Sequence, residues 1–218
     1  MSFKYILKKH KSTSTYYKIN NFIKNEIYNK NIKKLKILEF GVDKGISTAL
    51  FLKYCKKSSS KLYSVDTIDY SKLFKDNNWT FVHTRDDNYK KINKLTKKQF
   101  DVIFLDTEHT SSHVEKIIYL YFNKLKKNGF FLIDDISWLP YSKNEYRDNE
   151  WIENNNKNTF FKLLDIYNSN KNIIKIQFFF DYSGLALIKK TKNKKLNLPN
   201  KVLSRKLAIK NLARILLK

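Results

Sequence analysis

Two short acidic runs hold the groups in this sequence best suited to chemistry. Asp106-Thr107-Glu108-His109 follows the apolar run Phe100-Asp101-Val102-Ile103-Phe104-Leu105, and Asp134-Asp135 closes another, Phe130-Phe131-Leu132-Ile133. Each puts carboxylates where a buried strand should emerge into solvent. Three acids, Asp106, Asp134 and Asp135, brought to neighbouring strand ends would repel one another unless some are protonated or a cation neutralises them. Carboxylate oxygens are hard ligands that suit Mg²⁺ or Ca²⁺ better than zinc. His109 follows Asp106 on the same loop, and an imidazole that titrates near neutral pH can take a proton from a substrate hydroxyl polarised by such a cation. Simpler roles stand beside this one: Asp-Asp can turn or cap a loop, and a lone His in a polar loop can be solvated. Glu108 reads as a spare acid and His113 as a solvated helix residue.

A second constellation lies upstream. Glu39-x-Gly41-x-x-x-Gly45 stands between an apolar run and a helical one. Glycines there let a ligand approach the backbone and let a helix N-terminus point amides at it, although strand-to-helix turns also use Gly for steric reasons alone. Asp66 ends the next apolar run about 20 residues beyond Gly45, the distance at which a βαβ unit delivers a carboxylate to ribose hydroxyls.

The elements that must position these groups can be read from hydrophobic periodicity. Tyr16, Ile19, Phe22, Ile23 and Ile27 predict a helix over 15–30, and 47–57 reads as a helix that follows a strand at 35–41. Further strands are expected at 61–66, 80–84, 100–106 and 130–136, with a helix at 158–167 and a closing hairpin over 173–190. Ser112 and Glu115 form a capping-box pattern, which starts a helix near His113 that Asn128-Gly129 ends. Strands alternating with helices predict a mostly parallel sheet. Residues 137–156, polar and rich in Trp and Tyr, are a candidate lid, and Trp138, Tyr141, Tyr146 and Trp151 in it suit stacking on a sugar ring or closing a small core. No internal repeat is present.

The chain has 218 residues, 42% hydrophobic and 15% aromatic, enough for one sizeable α/β domain. The single cysteine, Cys55, excludes an intrachain disulfide and reads as a small buried apolar residue. The start carries no secretory pattern and no apolar run is long enough to span a bilayer, so a cytoplasmic protein is expected. The formal charge of +24 comes from 44 Lys and Arg against 20 Asp and Glu. The lysines are scattered through every segment rather than clustered, which argues against a nucleic-acid footprint.

With Glu39, Gly41, Gly45 and Asp66 in place, residues 35–190 resemble the class I S-adenosylmethionine-dependent methyltransferases. The resemblance implies an α/β, Rossmann-like, seven-stranded, mostly parallel sheet with an antiparallel C-terminal hairpin and helices on both faces. It implies that Glu39, Gly41 and Gly45 line the methionine end of S-adenosylmethionine, with Ser47 at the helix start, that Asp66 holds the ribose, and that Asp86, beside Arg85, lies near the adenine. Asp-x-x-His followed by Asp-Asp looks like the metal-dependent O-methyltransferases that act on sugar hydroxyls of macrolides and related glycosides. That likeness implies Asp106, Asp134 and Asp135 as Mg²⁺ ligands and His109 as general base. Many members have Gly where this chain has Thr107, which narrows the backbone conformations open to the loop.

The acceptor implied is a glycan or small glycoside. Rivals are a nucleic-acid methyltransferase, whose Asn/Asp-Pro-Pro-aromatic motif is missing, a catechol-type O-methyltransferase, and a binding module that has lost its chemistry. The expected organisation is an N-terminal helical segment (1–34), the methyltransferase domain (35–190) and a basic tail (191–218). In that tail 201–218 reads as a helix that packs on the domain, packs on a second copy, or lies on an anionic membrane surface.

Overall fold

The computed structural model describes residues 3–29, 32–95, 99–139 and 149–199. Strands β1 (Lys36–Phe40), β2 (Lys61–Asp66), β3 (Trp79–His83), β4 (Phe100–Leu105), β5 (Leu125–Asp134), β6 (Ile174–Phe179) and β7 (Leu185–Lys190) form one sheet in the order β3-β2-β1-β4-β5-β7-β6. β1 to β5 pair in parallel, and β7 runs antiparallel between β5 and β6. This is the Rossmann-like arrangement expected. Strand order reverses between β1 and β4, and the carboxyl ends of the strands on either side of such a switch point frame a crevice.

Alternation along the strands divides the core in two. Ile37, Leu62, Val102, Phe104, Leu132 and Leu187 face α1 (Phe3–Lys9), α2 (Ser14–Phe22) and α3 (Ile46–Ser58). Leu38, Phe40, Ile103, Leu105, Ile133 and Ile188 face α4 (Tyr89–Leu95), α5 (Ser111–Tyr121) and α6 (Glu150–Asn170) on the other side. Cys55 is buried in the first layer, where burial pushes its thiol up to about 12, as suits an inert core residue.

Several boundaries move. The N-terminal helix is α2 continued by a π-helical turn, Ile23–Tyr28, and α1 precedes it. α5 begins two residues before His113 because Thr110 is its N-cap, which leaves Ser112 inside the helix and the capping box unformed. It also ends early: Phe122–Lys124 is a 3₁₀ turn, and Asn128-Gly129 lie inside β5. Asn128 has φ 66°, and pairing jumps from Phe100 against Leu125 to Val102 against Phe130, so the Asn-Gly pair marks an irregularity in the strand. The buried Lys190 donates to the Phe122 and Leu125 carbonyls at 3.1 and 2.7 Å, so its ammonium is paired where the 3₁₀ turn runs into β5.

α6 extends well upstream of the expected helix, capped by Asn149, whose Oδ1 accepts from the Ile152 N–H at 3.0 Å. Part of the candidate lid is therefore helix. Trp138 packs with Phe160 and Phe161 in a small aromatic core, Trp151 is exposed, and Tyr141 and Tyr146 lie outside the described residues, as does the expected helix at 201–218. Among the described residues no helix is long and apolar enough to cross a membrane.

Candidate active site

The crevice is built first by backbone. The ends of β1 and β4 are tied by the Asp106 N–H to the Phe40 carbonyl at 2.9 Å, and the Gly41 N–H reaches the Val65 carbonyl of β2 at 2.9 Å. Gly41 has φ +92°, and a Cβ on it would lie 1.8 Å from the Asp106 carbonyl oxygen. Gly45, at φ +71°, is the N-cap of α3. Asp66 is oriented by two backbone donors, Val42 N–H on Oδ2 at 2.8 Å and Ile68 N–H on Oδ1 at 2.9 Å. Oδ1 also faces the Thr67 hydroxyl at 3.5 Å, and Oδ2 keeps a second lone pair, as a carboxylate placed to accept a ribose hydroxyl requires.

Glu39 is placed differently from the resemblance. It is fully buried, and its carboxylate takes hydroxyl hydrogen bonds from Ser47 at 2.6 Å, Thr48 at 2.8 Å and Ser64 at 2.5 Å. Glu39 and Ser47 thus lock β1, β2 and α3 together beneath the crevice. Burial pushes the Glu39 carboxyl up to about 7, against the three hydroxyls that favour its ionised form.

Because the unfolded group titrates near its ordinary 4.5, the folded chain holds the extra proton between 4.5 and about 7. Stability from this group is therefore complete below about pH 4.5, falls as pH rises through that window, and is level above it. Glu39→Gln should abolish this slope. From about pH 5 to about pH 8 its melting temperature should rise relative to wild type by roughly 6–12 °C, following a linkage term of about 3 kcal/mol. Thermal denaturation at both pH values, followed by circular dichroism, checks it.

Asp86 is also turned inward. Its Oδ2 accepts from Thr107 Oγ1 at 2.6 Å and stands 2.7 Å from His113 Nε2, and its carbonyl accepts from Tyr121 OH at 2.7 Å. The side chain is therefore committed to α5 and the loop after β4 rather than presented to an adenine. His113, expected to be solvated, is 8% exposed; it lies on the inner face of α5, where Asp86 satisfies it. Thr107 fits the place of the expected glycine: its φ is not positive, and its hydroxyl anchors the loop to Asp86.

The rim groups do come together. His109 Nε2 lies 3.7 Å from Asp106 Oδ1 and 3.5 Å from Asp135 Oδ2, and the His109 carbonyl accepts from the buried Thr159 hydroxyl of α6 at 3.0 Å. Asp135 has φ 54° and its N–H donates to Asp134 Oδ1 at 3.0 Å, which turns the two neighbouring acids in different directions. Asp134 is 2% exposed, whereas the Asp135 side chain is 29% exposed. Burial and the other two carboxylates push Asp106 well above the usual carboxylate range. Burial likewise raises Asp134, opposed by a neighbouring ammonium, that of Lys18.

Lys18 belongs to α2, remote in sequence from the strand ends, and sequence reasoning missed it. Its ammonium bonds Asp134 Oδ1, lies 3.6 Å from Asp135 Oδ1, and donates to Ser183 Oγ at 2.6 Å and the Gly184 carbonyl at 3.3 Å. The one signal available was its spacing: Lys18 precedes the buried Phe22 by one helical turn, a polar residue on the edge of an apolar stripe.

Three carboxylates are the right donors for Mg²⁺, but their arrangement here does not fit it. Among the described residues no three His, Cys, Asp or Glu side chains are gathered around one ion position, and Asp134 Oδ1 is taken by the ammonium.

A family model described as "Methyltransferase domain" matches residues 38–136, the span from β1 through the second acidic run. The match covers a little under half of the 218 residues and takes in the glycine turn, Asp66, Asp106 and His109. No protein of curated function matches the sequence. Among solved structures, the fold resembles the MycE methyltransferase of the mycinamycin biosynthetic pathway, determined with Mg and SAH, with a TM-score of 0.64 at 13% identity. That match covers 92% of this chain and 57% of MycE, so the chain spans little more than half of that protein. A putative caffeoyl-CoA O-methyltransferase from Staphylococcus aureus aligns with a TM-score of 0.57 at 18% identity over 86% of this chain and 98% of its own. A putative ribosomal RNA methyltransferase from Plasmodium falciparum aligns at 0.53 and 12%, over 86% and 99%. At these identities the likeness to all three is one of fold.

Proposed function

We propose that this protein is an S-adenosylmethionine-dependent methyltransferase that acts on oxygen, transferring the methyl group to a sugar hydroxyl of a glycan or glycoside, with His109 as the base. The observation that carries this reading is the His109 imidazole held between Asp106 and Asp135 at the rim of the crevice. When bound, S-adenosylmethionine supplies an electrophilic methyl group on sulfur. The backbone turn from Gly41 to Gly45 would line it, and Asp66 would take its ribose. His109 takes the proton of the attacking hydroxyl, and the Asp135 carboxylate beside it stabilises the imidazolium that results.

A groove of about 1510 Å³ opens beside Asp135, between α2 and the β6–β7 hairpin. Tyr17 and Tyr182 stack on one another in its wall at 5.6 Å, and Asn21, Asn25 and Gln177 also line it. Aromatic faces that receive the C–H side of a pyranose, with amides that bond hydroxyls, suit an uncharged polyhydroxylated acceptor.

The test is transfer of label from methyl-labelled S-adenosylmethionine to a panel of glycosides, with total RNA and a catechol as competitors. Label on glycoside oxygen is expected, and Tyr182→Ala should raise the acceptor KM about 3- to 10-fold with kcat held. Label on RNA or catechol alone would overturn the reading.

A further inference from the structure

The carboxylate cluster already contains a cation. All three N–H bonds of the Lys18 ammonium have acceptors, in Asp134, Ser183 and the Gly184 carbonyl, and Asp135 stands beside it at 3.6 Å. Its side chain is 5% exposed.

The surroundings are built to hold it there. Ser183 Oγ lies 3.2 Å from Ser14 Oγ at the start of α2, and the Ser183 carbonyl accepts from the Ser137 N–H at 2.8 Å. Gly184 has φ +83°, and a Cβ on it would lie 2.5 Å from Ser137 N, so hairpin and strand end are packed too closely to drift apart. A magnesium ion bound to Asp134 Oδ1 would need that oxygen at about 2.0–2.1 Å, on the atom the ammonium already bonds. Two cations cannot share that position.

We propose that Lys18 is the resident counter-cation of this site, standing where related carboxylate clusters would take a divalent ion, so that Asp106, Asp134 and Asp135 are held together without one. The inference concerns the site of the proposed reaction but is read out by metal binding rather than by turnover. It therefore stands or falls separately from the acceptor assignment, and binding of S-adenosylhomocysteine in the same experiment reports on the methyltransferase reading.

Mg²⁺ and Mn²⁺ are titrated calorimetrically into the full chain saturated with S-adenosylhomocysteine. Wild type is expected to show no stoichiometric site up to millimolar metal. Lys18→Met, which keeps the length of the side chain and removes its charge, is expected to bind one ion at least about tenfold more tightly, and Lys18→Met/Asp134→Asn to lose it again. A stoichiometric wild-type site overturns the proposal without need of any variant, so a poorly folded Lys18→Met cannot shelter it. If folded Lys18→Met also binds no ion, the proposal is equally overturned, because Lys18 would then stand in for nothing.

Discussion

His109→Ala is expected to lower methyl transfer by about 10²- to 10⁴-fold, the usual contribution of a positioned general base, with S-adenosylhomocysteine affinity nearly unchanged. The imidazole is 30% exposed, so its removal leaves no buried cavity and little stability should be lost. Its backbone carbonyl keeps the Thr159 hydrogen bond whatever the side chain, so the loop after β4 should hold its course. A sugar hydroxyl is a poor nucleophile until it begins to lose its proton, so the loss should fall on kcat and kcat/KM together. Single-turnover transfer from labelled S-adenosylmethionine, paired with calorimetry of the product cofactor, separates the two effects. Full activity in a folded His109→Ala protein would remove this residue from the mechanism and move attention to Asp106 and Asp135.

Gly41→Ala should have the largest effect on the cofactor side. The new methyl group would sit 1.8 Å from the Asp106 carbonyl oxygen, in a residue at φ +92°. Both obstacles are backbone, and no side chain can rotate away to relieve them. The ends of β1 and β4 must separate, which breaks the Asp106-to-Phe40 hydrogen bond and displaces the segment that carries Asp106 and His109. A cost of about 3 kcal/mol or more is expected, equivalent to a melting temperature lower by roughly 6–12 °C, with S-adenosylhomocysteine binding reduced at least about 100-fold. Gly45→Ala is the graded comparison. There the Cβ would meet Leu73 Cδ2 at 2.7 Å, the far end of a flexible side chain, and a cost of about 1–2 kcal/mol should follow. Equal effects at the two glycines would show that the approach of β1 to β4 is not what Gly41 protects.

Local pattern and tertiary structure contributed different things. The strands from Lys36 to Leu105 were legible because each alternates or runs apolar over a few residues, and that is a property of neighbours in sequence. The placement of Asp106, Asp134 and Asp135 on one rim was legible too, since acids at the ends of parallel strands must emerge on the same edge. The end of α5 was not legible. Asn-Gly commonly stops a helix, yet here it accommodates an irregularity in β5, because the pairing of β5 with β4 outweighs the local turn preference.

Polar residues divided along the same line. Glu39, Asp86 and His113 have types common in binding sites, and sequence alone cannot tell a carboxylate facing a ligand from one satisfied inside. Only the packed chain shows Ser47, Thr48 and Ser64 converging on Glu39, or Thr107 and His113 on Asp86. Lys18 was the least visible of all, one of 44 basic residues and far along the chain from the acid it neutralises. By itself the sequence determined the strands, the glycine turn and the acids and histidine at the strand ends, because hydrophobic period and turn chemistry are short-range. Which charged group answers which was decided only by the tertiary structure, because a buried charge must find its partner across the fold; the spacing of Lys18 from Phe22 marks its place on the helix and says nothing of Asp134.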